Sequence, residues 1–145
     1  MIVVDSDIAS EMMAEQPEPR VIAWLDSLEP EGLWLNAITV FEIKRGIDEL
    51  DPGRRKRALL SAFEALVIGD FDNRVLPFDL PAAIHAEQID IDRKRRGRPA
   101  GFADTQIAGI AVSRGAAIAT RNVRHFDDLS VEIVGSRPPC WCRRH

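Results

Sequence analysis

Cysteine is scarce in this sequence and long apolar runs are missing, and each of these features excludes a class of protein. The 145 residues include two cysteines, Cys140 and Cys142, both in the C-terminal segment PPCWCRRH. A disulfide between them would close almost no loop, so we expect reduced thiols. No apolar run approaches the ~20 residues that a membrane-spanning helix requires, and Asp5 and Asp7 interrupt the apolar start that a signal peptide would need. We therefore expect a cytoplasmic protein that does not associate with membranes.

An excess of positive charge is also missing. The formal net charge of -4 argues against a protein whose whole surface binds nucleic acid non-specifically. Basic residues are nevertheless concentrated in the segment DRKRRGR, which runs from Asp92 to Arg98. The simplest interpretation of this basic run is a solvated helix end, where cations suit the negative end of the helix dipole.

Short apolar runs alternate with longer amphipathic segments along the chain. Strands are predicted at 2–4, 33–35, 75–78, 117–120 and 131–134, and helices up to 13 and at 20–28, 37–50, 53–67, 79–96 and 102–114. This alternation indicates the α/β class, an α/β sandwich with a mostly parallel sheet. The length suits one domain, which we expect to span residues 1–135, with a Pro- and Cys-containing tail at 136–145.

Acidic and amide side chains occur where predicted strands end or where the following helices begin. They are Asp5, Asp7, Glu42, Asp104 and Asn122. In a parallel sheet the strand ends and the following helix starts collect at one edge, so we expect these side chains to share a rim. Each has a structural alternative, because an acid at a helix start can act as a cap, and Thr39 to Glu42 fits a capping box.

The carboxylates together favour a metal ion. Two carboxylates ~4 Å apart repel by about 1 kcal/mol in water and by several times more in a partly dry cleft, so three or four on one rim imply a bound cation. Carboxylates without nearby histidine or cysteine suit Mg²⁺ or Mn²⁺ rather than zinc. Such a site suits phosphodiester cleavage, and Asp5, at the rigid end of the first strand, would anchor the ion.

Four segments, MIVVDSD, NAITVFEIKRGI, RPAGFADTQIAGIA and IATRNVRHF, occur in the order and spacing of a known family. From residue 1 to about residue 134 the chain resembles the PIN-domain ribonucleases, most closely the VapC toxins of type II toxin–antitoxin pairs and particularly their FitB-like branch. The resemblance implies a three-layer α/β/α fold and a Mg²⁺- or Mn²⁺-dependent endoribonuclease. It also implies a homodimer within a larger toxin–antitoxin assembly, and a cognate VapB-like antitoxin whose tail occupies the active site.

The resemblance also assigns roles to individual residues. Asp5, Glu42 and Asp104 match the acidic triad of the family, with Asp5 and Asp104 as direct metal ligands. Glu42 would orient the attacking water or bind a second ion when substrate arrives. Asn122 would bond a water or a phosphate, and Thr120 would support it.

Two positions depart from the family pattern. Asp7 stands where the family usually has an amide, and it would either strengthen metal binding or cap the first helix, of which we favour the cap. His125 stands where many relatives carry an acid, and it would touch a phosphate or lie on the surface. Asp127 and Asp128 follow on a different turn, so a fourth acidic ligand is not assigned.

Given the resemblance, the basic run gains a second interpretation as a surface that faces RNA or the antitoxin. Its cations are Arg93, Lys94, Arg95, Arg96 and Arg98. The tail offers Cys140, Cys142 and His145, which imitate a metal cluster only weakly.

Two other functions remain open at this stage. A haloacid-dehalogenase-type phosphohydrolase also begins with a strand and D-x-D, with Asp5 as nucleophile and Asp7 as general acid. It would need a well-placed lysine and leaves Glu42 and Asp104 without a role. The other alternative is a PIN-fold protein that is catalytically weak and only binds RNA or an antitoxin.

Overall fold

The computed structural model describes residues 1–135, so the tail at 136–145, with Cys140, Cys142 and His145, lies outside the described residues. The described chain forms a sheet of five strands in the order β3-β2-β1-β4-β5. All four strand pairings are parallel. The strands are β1 Ile2–Val4, β2 Leu33–Asn36, β3 Val75–Leu76, β4 Ala117–Thr120 and β5 Ile133–Gly135.

Six helices connect the strands. They are α1 Ser6–Met13, α2 Pro19–Asp26, α3 Ala37–Asp48, α4 Arg54–Glu64, α5 Leu80–Arg95 and α6 Phe102–Arg114. A π-helical turn, Ala65–Asp70, follows α4, and 3-10 turns precede β2 at Pro30–Gly32 and follow β4 at Val123–His125. None of these helices is both long and apolar enough to cross a bilayer.

The sheet separates two hydrophobic cores, as the alternation of side chains along a strand requires. In β1, Val3 belongs to the core formed with α5 and α6, whereas Val4 belongs to the core formed with α1 and α2. In β4, Ile118 and Ala119 divide between the same two cores. The predicted α/β/α architecture with a parallel sheet is therefore confirmed.

Several predicted boundaries differ from the structure by one to three residues. The strand predicted at 75–78 ends at Leu76, and the next residue is Pro77, which cannot donate a hydrogen bond to a neighbouring strand. The last strand is Ile133–Gly135 rather than 131–134. The fourth helix leaves regular α-geometry after Glu64, and its wider π-helical turn places Leu66 in the core.

Helices α5 and α6 lie unusually close together, and Gly109 makes this possible. A Cβ atom built on Gly109 would lie 2.6 Å from the Cβ of Ala86 and would also overlap the carbonyl oxygen of Ala82. These distances are shorter than any real contact, and both neighbours belong to the buried core. Gly109 thus sets the separation of the two helices, and α6 carries Asp104 in its first turn.

We expect Gly109→Ala to lower the free energy of unfolding by about 1–3 kcal/mol, the usual cost of overpacking a core. The matched control is Gly46→Ala in α3, where a Cβ would meet nothing within 4 Å. Because alanine is the better helix former, the control should raise stability by roughly 0.5–1 kcal/mol. Urea denaturation followed by circular dichroism measures both changes, and equal effects at the two positions would contradict this account of the helix contact.

Candidate active site

Asp5 connects the end of β1 to the end of β4. It is the N-cap of α1, and its Oδ1 accepts a hydrogen bond from the backbone N–H of Ser6 at 2.8 Å. Its Oδ2 accepts one from the hydroxyl of Thr120 at 2.9 Å. With 4% of its surface exposed, Asp5 is held rigidly at the carboxyl edge of the sheet.

The position of Asp5 is electrostatically unfavourable for a carboxylate. Burial, then the negative charge of Asp7 and more weakly that of Asp104, raises the pKa of Asp5 to about 7. The hydrogen bonds from Thr120 and Ser6 oppose this shift but do not cancel it. A cation bound beside Asp5 would favour the ionised form of its carboxyl group and so offset this cost.

Asp7 lies in the first turn of α1, next to Asp5. Its Oδ1 accepts a hydrogen bond from the N–H of Ile8 at 2.8 Å, and its Oδ2 accepts one from the side-chain amide of Asn122 at 2.9 Å. Burial also raises the pKa of Asp7. The predicted role of Asp7 as the helix cap is wrong, because Asp5 takes that position and Asp7 instead bonds the segment after β4.

Glu42 reaches the rim from α3. Its Oε1 accepts a hydrogen bond from the hydroxyl of Ser6 at 2.7 Å. The predicted capping box is wrong, because α3 is capped by Asn36, whose Oδ1 accepts from the N–H of Thr39 at 2.9 Å. An asparagine directly before a helix is a strong N-cap signal that could have identified Asn36 from the sequence.

Asp104 enters from the first turn of α6, where acidic residues suit the helix dipole. Its Oδ2 lies 2.9 Å from Nδ1 of His125. His125 is about half exposed, so both alternatives proposed for it are incomplete: it lies at the surface and is also paired with a carboxylate of the rim.

The basic run does not form one surface. Arg93 is 3% exposed, and its guanidinium bonds both carboxylate oxygens of Asp128, the carbonyl oxygen of His125 and the hydroxyl of Thr105. Its predicted contact with RNA or the antitoxin is wrong, because the side chain is buried and its charge is paired with that of Asp128. These hydrogen bonds join α5 to α6 and to the 3-10 turn after β4, and the bond from Arg93 lowers the pKa of Asp128.

The other cations of the run differ among themselves. Lys94 pairs with Asp90 one turn earlier, at 2.9 Å. Arg98 pairs with Asp127 at 3.1 Å. Arg95 and Arg96 are exposed at the end of α5.

Sequence reasoning missed Arg121. Its guanidinium pairs with Glu11 at 3.2 Å and with Glu18 at 2.9 Å, which ties the segment between α1 and α2 to the end of β4. Its backbone N–H also donates to Oδ2 of Asp7 at 3.3 Å. Arg121 directly follows Thr120 at the end of β4, and this position beside a predicted site residue was the signal that could have identified it.

The donors on the rim suit a hard divalent cation. They are carboxylates, and the most buried of them, Asp5, has a raised pKa because burial and the negative charge of Asp7 disfavour its ionised form. Within residues 1–135, no three acidic, histidine or cysteine side chains are grouped tightly enough to hold one ion as they stand. Glu42 bonds Ser6 and Asp104 pairs with His125, so an ion at Asp5 would draw these side chains in or take its other oxygens from water and phosphate.

Comparison with known proteins gives one consistent result. The pattern of the PIN domain matches residues 2–132. The VapC ribonuclease Y4jK of Sinorhizobium fredii is 34% identical over 139 residues, which cover 96% of this chain and 99% of that protein. Toxin FitB of Neisseria gonorrhoeae is 39% identical over 133 residues, covering 92% and 96%. The solved structure of FitAB bound to an IR36 DNA fragment superposes with a TM-score of 0.84 at 37% identity, covering 94% of this chain and 95% of that one.

The raised pKa of Asp5 predicts a pH-dependent stability. In metal-free protein the folded state keeps this proton up to about pH 7, whereas the unfolded chain releases it near the ordinary value of 3.8. Between these two values the folded state binds one proton more than the unfolded chain. The free energy of unfolding therefore falls as the pH rises from 3.8 and reaches its lower level once the pH has passed about 7. Asp5→Asn removes this loss, because asparagine is an equally good cap but cannot ionise.

We therefore expect Asp5→Asn in EDTA to melt at a higher temperature than the wild type at pH 8, with a smaller difference at pH 5, in thermal scans of both proteins. Added Mn²⁺ at pH 8 should raise the melting temperature of the wild type more than that of the variant. Asp26→Asn, an exposed site in α2, serves as the control with no pH-dependent difference. A constant offset between wild type and Asp5→Asn at both pH values would refute the raised pKa.

Proposed function

The chain belongs to the PIN-domain family, and from that membership and the rim of carboxylates we propose that it is a metal-dependent endoribonuclease, the toxin of a type II toxin–antitoxin pair. Full-length likeness to proteins named VapC ribonuclease and toxin FitB supports this proposal. The same likeness favours a nuclease over the phosphohydrolase alternative. We place its action in the cytoplasm, where cellular RNA would be its substrate.

The observation that carries the proposal is the state of Asp5. It is buried and rigidly held, and the charges of Asp7 and Asp104 act on it. We propose Asp5 and Asp104 as the residues that hold Mg²⁺ or Mn²⁺, with Glu42 as a further ligand or the group that orients water. When bound, the ion would neutralise the scissile phosphate and lower the pKa of the attacking water.

The remaining residues of the rim would position these groups. Thr120 and the N–H of Ser6 hold the carboxylate of Asp5 in one orientation. The hydroxyl of Ser6 holds Glu42, which keeps a second carboxylate close to the first. Asn122 holds Asp7, and its exposed amide would bond a water or a phosphate oxygen once RNA is present.

Cleavage of total cellular RNA in Mn²⁺ by antitoxin-free protein tests the activity. We expect Asp5→Ala and Asp104→Asn each to lower the cleavage rate by at least about a hundredfold, the scale of an essential group in the reaction. Asp26→Asn removes an equal charge from an exposed site and should cleave like the wild type. If folded wild-type protein cuts no RNA, the chain is instead the catalytically weak binding protein.

We propose that the antitoxin occupies a groove between α1, α3 and α4, with a volume of about 1170 Å³. Apolar or small side chains, including Met13, Ile43 and Ala58, line much of it, and the charged residues of its lining include Asp7, Glu42 and Arg54. An apolar antitoxin segment with a basic residue facing the rim would match this groove in shape and charge. The solved FitAB complex supports an antitoxin partner.

A homodimer is also proposed. The exposed side chains of Leu80, Ile84 and Phe102 offer an apolar surface for contact between two copies of the chain.

A substitution of Ala58 can test antitoxin binding separately from catalysis, because this residue is exposed on α4 and lines the groove. We expect Ala58→Glu to cleave RNA as the wild type does but to bind the cognate antitoxin at least about tenfold more weakly, since it places a charge in an apolar contact. Ala23→Glu, exposed on α2 outside the groove, is the matched control. Equal antitoxin affinity in the two variants, measured by calorimetry, would place the antitoxin elsewhere.

A further inference from the structure

A second cavity adjoins the rim on the side of Asp104. Its volume is about 350 Å³, and it lies between the end of α5, the start of α6 and the 3-10 turn after β4. Its walls include the acids Asp104 and Asp128, the segment 99–101, and the side chains of Arg93, Arg98, Arg124 and His125.

The lining cations differ in how far their charge is already neutralised. The charge of Arg93 is matched by its buried pair with Asp128. Arg98 is more exposed, and its guanidinium bonds Asp127 and the carbonyl oxygen of Arg124. Among the ion pairs of residues 1–135, none involves the guanidinium of Arg124, and His125 contacts a carboxylate, that of Asp104, only through Nδ1. The cavity therefore offers positively charged donors that can bind an anion.

The two sides of the rim thus differ in charge. The groove between α1, α3 and α4 meets the rim at Asp7 and Glu42, which would repel a polyanion, and its two arginines, Arg54 and Arg55, lie at the start of α4. The cavity beside Asp104 approaches the rim through arginine and histidine. An RNA strand carries one negative charge on every nucleotide, and phosphates are contacted chiefly by such side chains.

We propose that this cavity binds a backbone phosphate of the RNA adjoining the bond that is cut, with Arg124 and Arg98 as its principal donors. The proposal deepens the proposed ribonuclease function and rests on it for the identity of the substrate. It assigns the cavity to the sugar–phosphate backbone, so the contact should be independent of base sequence. It also gives the strand a direction of approach, along the end of α5 rather than through the antitoxin groove.

The test measures binding separately from cleavage. A short fluorescein-labelled single-stranded RNA is titrated with antitoxin-free protein in EDTA, at several salt concentrations, by fluorescence anisotropy. We expect Arg124→Gln to weaken binding roughly three- to tenfold, as loss of a charge-assisted contact at an accessible site would. Log affinity decreases with log salt, and this negative slope should become shallower by about 0.7, the contribution of the one phosphate contact removed.

Arg98→Gln should act in the same direction, and RNAs of different sequence should be affected equally. In Mn²⁺, both variants should raise KM for cleavage while kcat stays within about twofold of the wild type, as loss of uniform binding predicts. Arg96→Gln is the matched comparison, since it removes the same charge from the same run but does not line the cavity. An equal loss of affinity with Arg96→Gln would show a general charge effect and would overturn the assignment.

The remaining outcomes separate this proposal from the proposed function. Unchanged affinity and salt slope in Arg124→Gln, in a protein that still cuts RNA, overturns the phosphate site and leaves the nuclease intact. RNA binding that depends on Arg124 without any cleavage in Mn²⁺ refutes the nuclease and keeps the site. If Arg124→Gln weakens binding of the antitoxin but not of RNA, the cavity serves the protein partner and the proposal is wrong.

Discussion

The structure depends on one buried carboxylate. Asp5 ends the first strand and begins the first helix, and it bonds the hydroxyl of Thr120 on the neighbouring strand. Burying a negative charge without a cation is costly, and the raised pKa of Asp5 reflects that cost. The fold tolerates the cost because the same group caps a helix and joins two central strands. In the proposed function, the same destabilised charge would favour binding of a divalent ion at this point of the sheet.

The all-parallel sheet explains why the other site residues lie nearby. With β1 between β2 and β4, the segments that follow these three strands are neighbours, although they are far apart along the chain. Ser6, Glu42 and Asn122 therefore meet around Asp5 and Asp7 through direct hydrogen bonds. Asp104 arrives differently, on a helix whose position is set by the close contact of α5 and α6 at Gly109.

Sequence reasoning works here where the signal is local. The strands β1 and β4 and the helix α6 have their predicted bounds, because a short apolar run and an amphipathic period each determine one kind of element. The rim of carboxylates follows from the rule on strand ends. Arg93 could not be placed, since its partner Asp128 is 35 positions away and a run of cations does not show which of them turns inward. The π-helical turn after α4 was also missed, because no local sequence pattern distinguishes it from the α-helix that it continues.

The buried pair of Arg93 and Asp128 restricts how this protein can evolve. Losing Asp128 alone leaves the buried guanidinium of Arg93 without its partner charge, which costs on the order of 3–5 kcal/mol, a large fraction of the total stability of a domain this size. We therefore expect homologous chains either to keep both residues or to have substitutions at both positions. Because Arg93 also bonds the carbonyl oxygen of His125, lineages that keep the pair can vary the exposed side chains around the cavity without loosening the loop that carries them.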